Sequence, residues 1–582
     1  MTDRDRHYIL MFDEMSIQPH VKLNVAVREF EGFADNGFGV IDTGIADHVL
    51  VFIIRGITRR WKQPIFFSFS HGPSSSQKLK SLITEVIRRC IAAGLNVMAT
   101  ICDQGAPNVS AINSLASPTD PNRKIFFVDG HKIIHLYDPP HLLKGIRNNL
   151  LKSNLVWIKG ERRLVAMWED IYNAYKIDNG SGQLRAMPKL TEGHVNPYKL
   201  RKMKVSCASQ VFSHNVASVM ALMARVELTG LDGTKMRSNA SDTAETLQFF
   251  DELFDSVNGH MQFWQDAKYH LRNMYFQRPG AQENIRPPSL KNWVISLNGL
   301  EEVFKAVQCK GVRYIRPRDF NQDPVEHFFG QIRQQGVRDT NPTASMFTYH
   351  FRTALVNGMA TQHSLSANCE EDDSYNILNG LRDFVSQETS ANVIVREDVN
   401  ISLPSEELTT YVDKLSIGYV SGFIAKNIRK LSKCELCKSN IFCKDTVAEW
   451  HDLIIEKEFA DNIPLKMKYC TPSFMKFMCQ IYNVTRNQLP VIICKKQCLN
   501  ILISLIKNHI FLPFDDTCGH KREVVDFTVD YFIKFLCHNW CTGVNRILKG
   551  ADDRLFTNDV IYKQARHYYL KMKRSQSSLI VT

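Results

Sequence analysis

Two apolar runs each end in an aspartate. Asp13 follows Tyr8-Ile-Leu-Met-Phe12, and Asp103 follows Asn96-Val-Met-Ala-Thr-Ile-Cys102. Runs of this length and purity read as buried central strands, and a carboxylate at the end of one needs a hydrogen-bond donor or a cation. A third acid, Glu326, lies in Asp323-Pro-Val-Glu-His-Phe-Phe329, which reads as the start of an amphipathic helix. Two neighbouring strand ends and one helix could thus deliver three oxygen donors to one spot. Such a set suits Mg²⁺ or Mn²⁺, the ions that serve phosphodiester chemistry.

The pattern around these acids predicts an α/β domain. His48–Ile57 and Pro64–Ser70 read as strands joined by a basic turn, and Ser76–Leu95 has helical periodicity through Leu79, Leu82, Ile83, Val86, Ile87 and Ile91. Asn96–Cys102 and Lys132–Tyr137 read as further strands, so a mixed sheet with helices packed on it is expected. From about 142 to 315 the strand signal fades and helical stretches rich in Phe, Trp, Leu and Met take over. This predicts an all-helical block between Asp103 and Glu326. If both acids share a site, the block is an insertion, and it costs little closure entropy if its ends lie close together.

Each acid also has a plain structural reading. Asp13 could cap a turn. Asp103, followed by Gln-Gly-Ala-Pro, could form an Asx-turn. In Asp323-Pro-Val-Glu326 the helix start has Asp as N-cap, Pro at N1 and Glu at the capping-box position, so Glu326 could be a cap partner. Gly330 and Arg333 share the face of Glu326, where a glycine leaves room for a substrate backbone and an arginine can meet phosphate. Asp138, ahead of Pro139-Pro140-His141, is a further candidate that also reads as an N-cap, with His141 and Lys144 on the helix behind it. Arg59-Arg60-Trp61-Lys62 combines cations with an aromatic, as nucleic-acid contacts do. A solvated hairpin tip fits those four residues equally well.

Taken in order, six segments resemble the P element transposases and their THAP-domain-bearing relatives. They are Met11–Ile17, Arg55-Gly-Ile with Trp61–Phe67, Cys102-Asp-Gln-Gly105, Asp138–Asn148, Lys202-Met-Lys-Val with Gln210–Ser213, and Asp323–Arg333. The resemblance implies an RNase H-like mixed-sheet catalytic domain with a DDE triad of Asp13, Asp103 and Glu326. It is interrupted by a helical insertion and followed by a mainly helical C-terminal region. The expected divisions are 1–145 and 316–362 for the two parts of the catalytic domain, 146–315 for the insertion, 363–410 for a linker and 411–582 for the Cys-rich C-terminal region. The implied activity is Mg²⁺- or Mn²⁺-dependent strand cleavage and strand transfer at transposon ends.

The resemblance further implies that the insertion binds GTP as an assembly cofactor. Neither a P-loop nor an Asn-Lys-x-Asp guanine motif occurs in the chain. Asp178, Asn215 and Asp242 are the residues that rough correspondence offers to the nucleotide. Arg59, Arg60, Lys62 and Arg333 are the expected DNA contacts. DNA ends and target, self-association and a nuclear location complete what the family implies. No zinc-coordinating THAP pattern precedes residue 10 of this sequence, which puts specific recognition of transposon ends in doubt. A truncated or domesticated derivative that binds DNA or partner subunits without mobilising DNA is the alternative. The segment from Asp13 to Asp103 is also longer than the family's, with Gly32–Ile45 as the expected extra loop.

Composition adds little. The net charge of +12 suits a polyanion, the 15 scattered cysteines favour a reducing compartment, and no run of 18 apolar residues predicts a membrane span. In the C-terminal region Cys434-Glu-Leu-Cys437 is half of a zinc-site pattern. Cys443, His451, Cys470, Cys518, His520, Cys537, His538 and Cys541 could supply the other half, and spacing does not choose among them.

Overall fold

The computed structural model describes residues 6–58, 61–118, 124–180, 185–202, 204–256, 263–280, 283–335, 341–356, 410–431, 433–443, 448–457, 468–551 and 559–580. Arg59 and Arg60 fall outside these, as does the expected 363–410 linker apart from its last residue.

A six-stranded mixed sheet organises the first part of the chain. Its strands are β1 (His7–Ser16), β2 (His48–Gly56), β3 (Lys62–Ser70), β4 (Asn96–Cys102), β5 (Ile125–Val128) and β6 (His131–Tyr137). Their order across the sheet is β3-β2-β1-β4-β6-β5. β1 runs antiparallel to β2 and parallel to β4, and β4 is parallel to β6. Tyr8 to Phe12 are wholly buried because β1 is central, which is why its sequence is a continuous apolar run rather than an alternating one. Helices α1 (Ser76–Ala92) and α2 (Ala106–Leu115) flank β4. The strand Ile125–Val128 was not legible in the sequence, being four residues long.

Helix α3 (Pro139–Leu150) leads into the insertion. The expected boundary at 145 falls within this helix. The insertion is mainly helical, with α4 (Trp168–Gly180), α5 (His214–Arg225), α6 (Ala240–Ser256) and α7 (Trp264–Asn273). It is not all-helical, however. Strands β7 (Asn154–Lys159), β8 (Arg162–Ala166), β9 (Tyr275–Gln277) and β10 (Asn284–Ile285) pair antiparallel in the order β8-β7-β9-β10. The strands are too short to show periodicity. β7 is held by Trp157, buried with its indole N–H donating to Thr246 Oγ1 at 2.9 Å.

The chain returns through α8 (Pro288–Gln308), which lies against β6. Beyond residue 134 β6 has no strand partner on its β5 side. Ser296 of α8 takes that place: its Oγ accepts from Tyr137 N at 2.9 Å and donates to Tyr137 O at 3.0 Å. One turn on, a Cβ at Gly299 would stand 2.4 Å from Leu136 Cδ2 and 3.2 Å from His135 O. The helix needs a glycine there to approach the strand. Helices α9 (Asp323–Gln335) and α10 (Ala344–Val356) then close the unit built on the six-stranded sheet. An aromatic cluster of Phe67, Phe69, Phe328, Phe347 and Phe351 docks both helices on β3.

The C-terminal region is helical: α11 (Tyr411–Leu431), α12 (Glu435–Ile441), α13 (Pro472–Ile492), α14 (Cys498–His509), α15 (Lys521–Leu548) and α16 (Val560–Ile580). It has its own core, and that core includes Val21, Leu23, Phe30, Phe33 and Ile45 from the segment between β1 and β2. The segment folds as two short hairpins, Lys22–Asn24 with Glu29–Glu31 and Phe33–Asp35 with Ile41–Ile45. The expected extra loop at 32–45 is thus half of a longer excursion. Asn545 of α15 grips the excursion by accepting from Val21 N at 2.9 Å and donating to Val21 O at 2.8 Å. Among the described residues no helix is long and apolar enough to cross a membrane.

The close approach of α8 to β6 predicts that Gly299→Val destabilises the protein by about 1–3 kcal/mol, the usual effect of overpacking a filled core. Urea unfolding checks this, and an unchanged midpoint would contradict it.

Candidate active site

The parallel register of β1 and β4 pairs Met11 with Ile101. Continued two residues, it sets Asp13 beside Asp103 at adjacent strand ends. The side chains line a cavity of about 220 Å³ together with Glu14, Ser74 and Asn108. Asp13 Oδ1 accepts from Glu14 N at 2.8 Å. Asp103 Oδ1 accepts from Gly105 N at 2.8 Å and from Asn108 Nδ2 at 2.6 Å. The Asx-turn at Asp103 therefore exists, yet it uses one oxygen only. Among the described residues, the second oxygen of each aspartate receives no hydrogen bond. Burial, then the charge of Asp103, pushes the Asp13 carboxyl up to about 7 from its ordinary value.

Glu326 enters on the first turn of α9, and its charge adds to the upward pressure on Asp13. The start of α9 differs from the expected capping box. Asp323 is the first helical residue, and the carbonyl of Gln322 accepts from Val325 N at 2.9 Å and Glu326 N at 3.2 Å. Gln322 is buried, at 1% exposure. Its side-chain Nε2 donates to Phe12 O at 2.7 Å, next to Asp13. Its backbone N–H donates to Asp138 Oδ1 at 2.7 Å. A second tie, the buried pair Arg55–Asp319 at 2.7 Å, anchors the approach to α9 on β2.

Asp138 is an N-cap, as its sequence context suggested, accepting from His141 N at 3.0 Å. It also holds His141 Nδ1 at 2.6 Å, and His141 Nε2 stands 3.8 Å from Glu326 Oε1. Burial works against a charge on His141, but the bond to Asp138 and the charges of Asp138 and Glu326 outweigh it and raise the imidazole to about 9. Lys144, one turn further on, has its pKa lowered by burial, with Asp103, Glu326 and Asp138 opposing. The role of Gln322 and the approach of His141 to Glu326 were not legible in the sequence. Both depend on partners brought from distant segments.

The donor set fits a divalent cation of the Mg²⁺ class. All three side chains offer hard oxygens, two of those oxygens receive no hydrogen bond among the described residues, and burial together with the charges of Asp103 and Glu326 raises the Asp13 carboxyl.

The other expected site residues are dispersed. Asp178 is buried, accepting from Arg185 Nε at 3.0 Å, Ala186 N at 2.7 Å and Met187 N at 3.2 Å, and so holds the 185–187 turn. Asn215, exposed, donates to Ala186 O at 3.2 Å on the same turn. Asp242, near the start of α6, accepts from Val165 N at 3.3 Å and pairs with Arg162 at 3.4 Å. Asp178 and Asn215 thus meet at Ala186, while Asp242 lies against β8. Lys62 opens β3, while Trp61 is buried with its ring 4.8 Å from that of Tyr8, out of reach of a nucleobase. Arg333 is exposed on α9 two turns beyond Glu326.

Three family models match the chain: the TNP-like RNase H N-terminal domain over residues 1–116, the TNP-like GTP-binding insertion domain over 140–270, and the TNP-like RNase H C-terminal domain over 319–352. The Transposable element P transposase of Drosophila melanogaster is 28% identical across 73% of this chain and 56% of its own length. The human DNA transposase THAP9 is 24% identical across 90% of this chain and 62% of its own. This chain therefore spans less than two thirds of either relative. Among solved structures, the Drosophila P element transposase strand transfer complex matches at 26% identity, with a TM-score of 0.49, over 60% of this chain and 77% of that one. The order of the matched domains is the order found here: an RNase H-like mixed sheet, an insertion in its midst and the closing helices that carry Glu326. This chain is a P element transposase-like protein with TNP-like RNase H and GTP-binding insertion domains.

Proposed function

We propose that the chain is a DDE-type enzyme of DNA strand cleavage and strand transfer, with Asp13, Asp103 and Glu326 as its cation-binding carboxylates. The observation that carries this reading is the convergence of the two strand-end aspartates with a helix clamped to them through Gln322. Family membership supports the reaction class. A divalent cation held by the three acids would activate the attacking hydroxyl and stabilise the leaving oxygen. The chain's own groups prepare that event. Asp103 is oriented by Gly105 and Asn108, and Glu326 is oriented by Gln322 and faced by His141. Arg333, exposed on the same helix, is suited to a backbone phosphate, and Lys62 to a neighbouring one.

GTP, by this reading, binds the insertion and assists assembly with DNA ends. Asn215 and Asp242 keep access to solvent there and remain the proposed contacts, whereas Asp178 shapes the turn beside Asn215. The work on DNA would take place in the nucleus, between self-associated chains. The alternative is a derivative that binds DNA or partner subunits without cleavage.

Two outcomes are expected. In the metal-free protein the raised Asp13 carboxyl means that folding takes up a proton, so stability falls as pH rises from its ordinary value of 3.8 to about 7. Asp13→Asn removes that loss. With chelator present it should raise Tm at about pH 8 by roughly 2–4 °C or more, the shift for about 1 kcal/mol, and by much less at about pH 4. Equal Tm values at both pH values would contradict the assignment. Purified protein with Mg²⁺ or Mn²⁺ should cut a labelled DNA duplex, more efficiently with GTP, and Glu326→Gln should cut at least roughly 100-fold more slowly. DNA bound in a salt-dependent way but never cut would favour the non-enzymatic alternative.

A further inference from the structure

The C-terminal region holds a cluster that neither the family match nor the proposed reaction uses. Cys434 and Cys437 bracket the start of α12, and Cys518 and His520 lie in the turn before α15. One potential ligand atom from each of the four lies within 4.8 Å of all the others. Cys437 Sγ is 3.6 Å from Cys518 Sγ and 3.6 Å from His520 Nδ1. A disulfide requires sulfurs about 2.05 Å apart, so the two thiols are not bonded. Ligands about 2.3 Å from a tetrahedral zinc stand about 3.8 Å from one another for sulfur and slightly less for sulfur and nitrogen. The observed separations are those edges.

The local backbone is built for this arrangement without the metal. Gly519, between the two downstream ligands, has φ +72°, and a Cβ there would meet nothing within 4 Å. Its glycine serves the left-handed turn that sets Cys518 and His520 side by side. Asn440 of α12 grips the same loop, accepting from Asp515 N at 3.1 Å, and Asp516 Oδ1 accepts from Lys521 N at 2.8 Å where α15 begins. The other candidates lie apart. Cys443 donates to Cys470 O at 3.4 Å and His451 contacts the same carbonyl at 3.1 Å, while Cys537 and Cys541 are buried in the core of α15.

We propose that Cys434, Cys437, Cys518 and His520 form a tetrahedral Cys₃His zinc site that staples α12 to the start of α15. Thiolates and one imidazole in closed four-fold coordination select zinc and mark a structural rather than a catalytic ion. The need is physical. Helix α12 has seven residues, too few to hold together alone. The staple joins it to the helix whose Asn545 grips the excursion from the catalytic sheet.

The test is metal content of the full chain, expressed with zinc and dialysed, measured by plasma mass spectrometry. The expected result is one zinc per chain, lost in a Cys434→Ser, Cys518→Ser double variant and kept in Cys443→Ser. Replacement with Co²⁺ should give the thiolate charge-transfer and visible bands of tetrahedral cobalt. Because the double variant could fail to fold, His520→Cys provides a second arm. It keeps four ligands, so it should keep the metal and intensify the charge-transfer band. A parent chain without zinc, a double variant that retains it, or an octahedral cobalt spectrum would overturn the proposal.

Discussion

Gln322 joins the segments that make the candidate site, reaching a carbonyl 310 residues upstream with its side chain and a carboxylate 184 residues upstream with its backbone. The first bond lies beside Asp13 and the second ends on Asp138, the cap of the helix that leads into the insertion. Thus the point where the chain leaves the catalytic sheet and the point where it returns are bonded to each other. An insertion closed in this way can vary in its interior without moving Glu326, because closure entropy grows only slowly with length. Removing either partner would leave a buried polar group unsatisfied, which is why so small a contact matters.

The surrounding charges follow from the same geometry. Asp138 is committed to a backbone N–H on each side and to His141, so it holds the imidazole in place. His141 in turn faces Glu326, and Asp13 and Asp103 press on each other across the strand ends. Among the described residues, Asp13 and Asp103 each accept hydrogen bonds on one oxygen. A site in which like charges are gathered and partly undonated is poised for a cation. The C-terminal region bears on this indirectly. The excursion that leaves β1 just past Asp13 is packed into its core, so the end of β1 is braced from outside the RNase H-like unit.

Much of this was legible in the sequence, for reasons that differ by residue. β1 and β4 announced themselves because central strands are apolar without alternation, and their terminal aspartates stood out against those runs. Glu326 was legible through the amphipathic pattern of α9, although the helix begins at Asp323 rather than after it. β5 and the small sheet of the insertion were not, since strands of two to six residues carry too little pattern. Gln322 was invisible, as a glutamine before a helix has no periodic signature and its partners are hundreds of residues away. Asp178 had the right chemistry for a base reader, but three backbone and side-chain donors claim it. The zinc-site pattern was half legible: Cys434-x₂-Cys437 stood out, whereas Cys518 and His520 could be selected only once the chain was folded.

The central claim is that Gln322 assembles three carboxylates into one divalent-cation site. It is tested most directly by titrating Mn²⁺ into the parent and into Gln322→Ala, following free Mn²⁺ by electron paramagnetic resonance. The account predicts saturable binding in the parent and binding weaker by roughly 10–100-fold in the variant, with helical content unchanged. Equal affinity in the two proteins would contradict it.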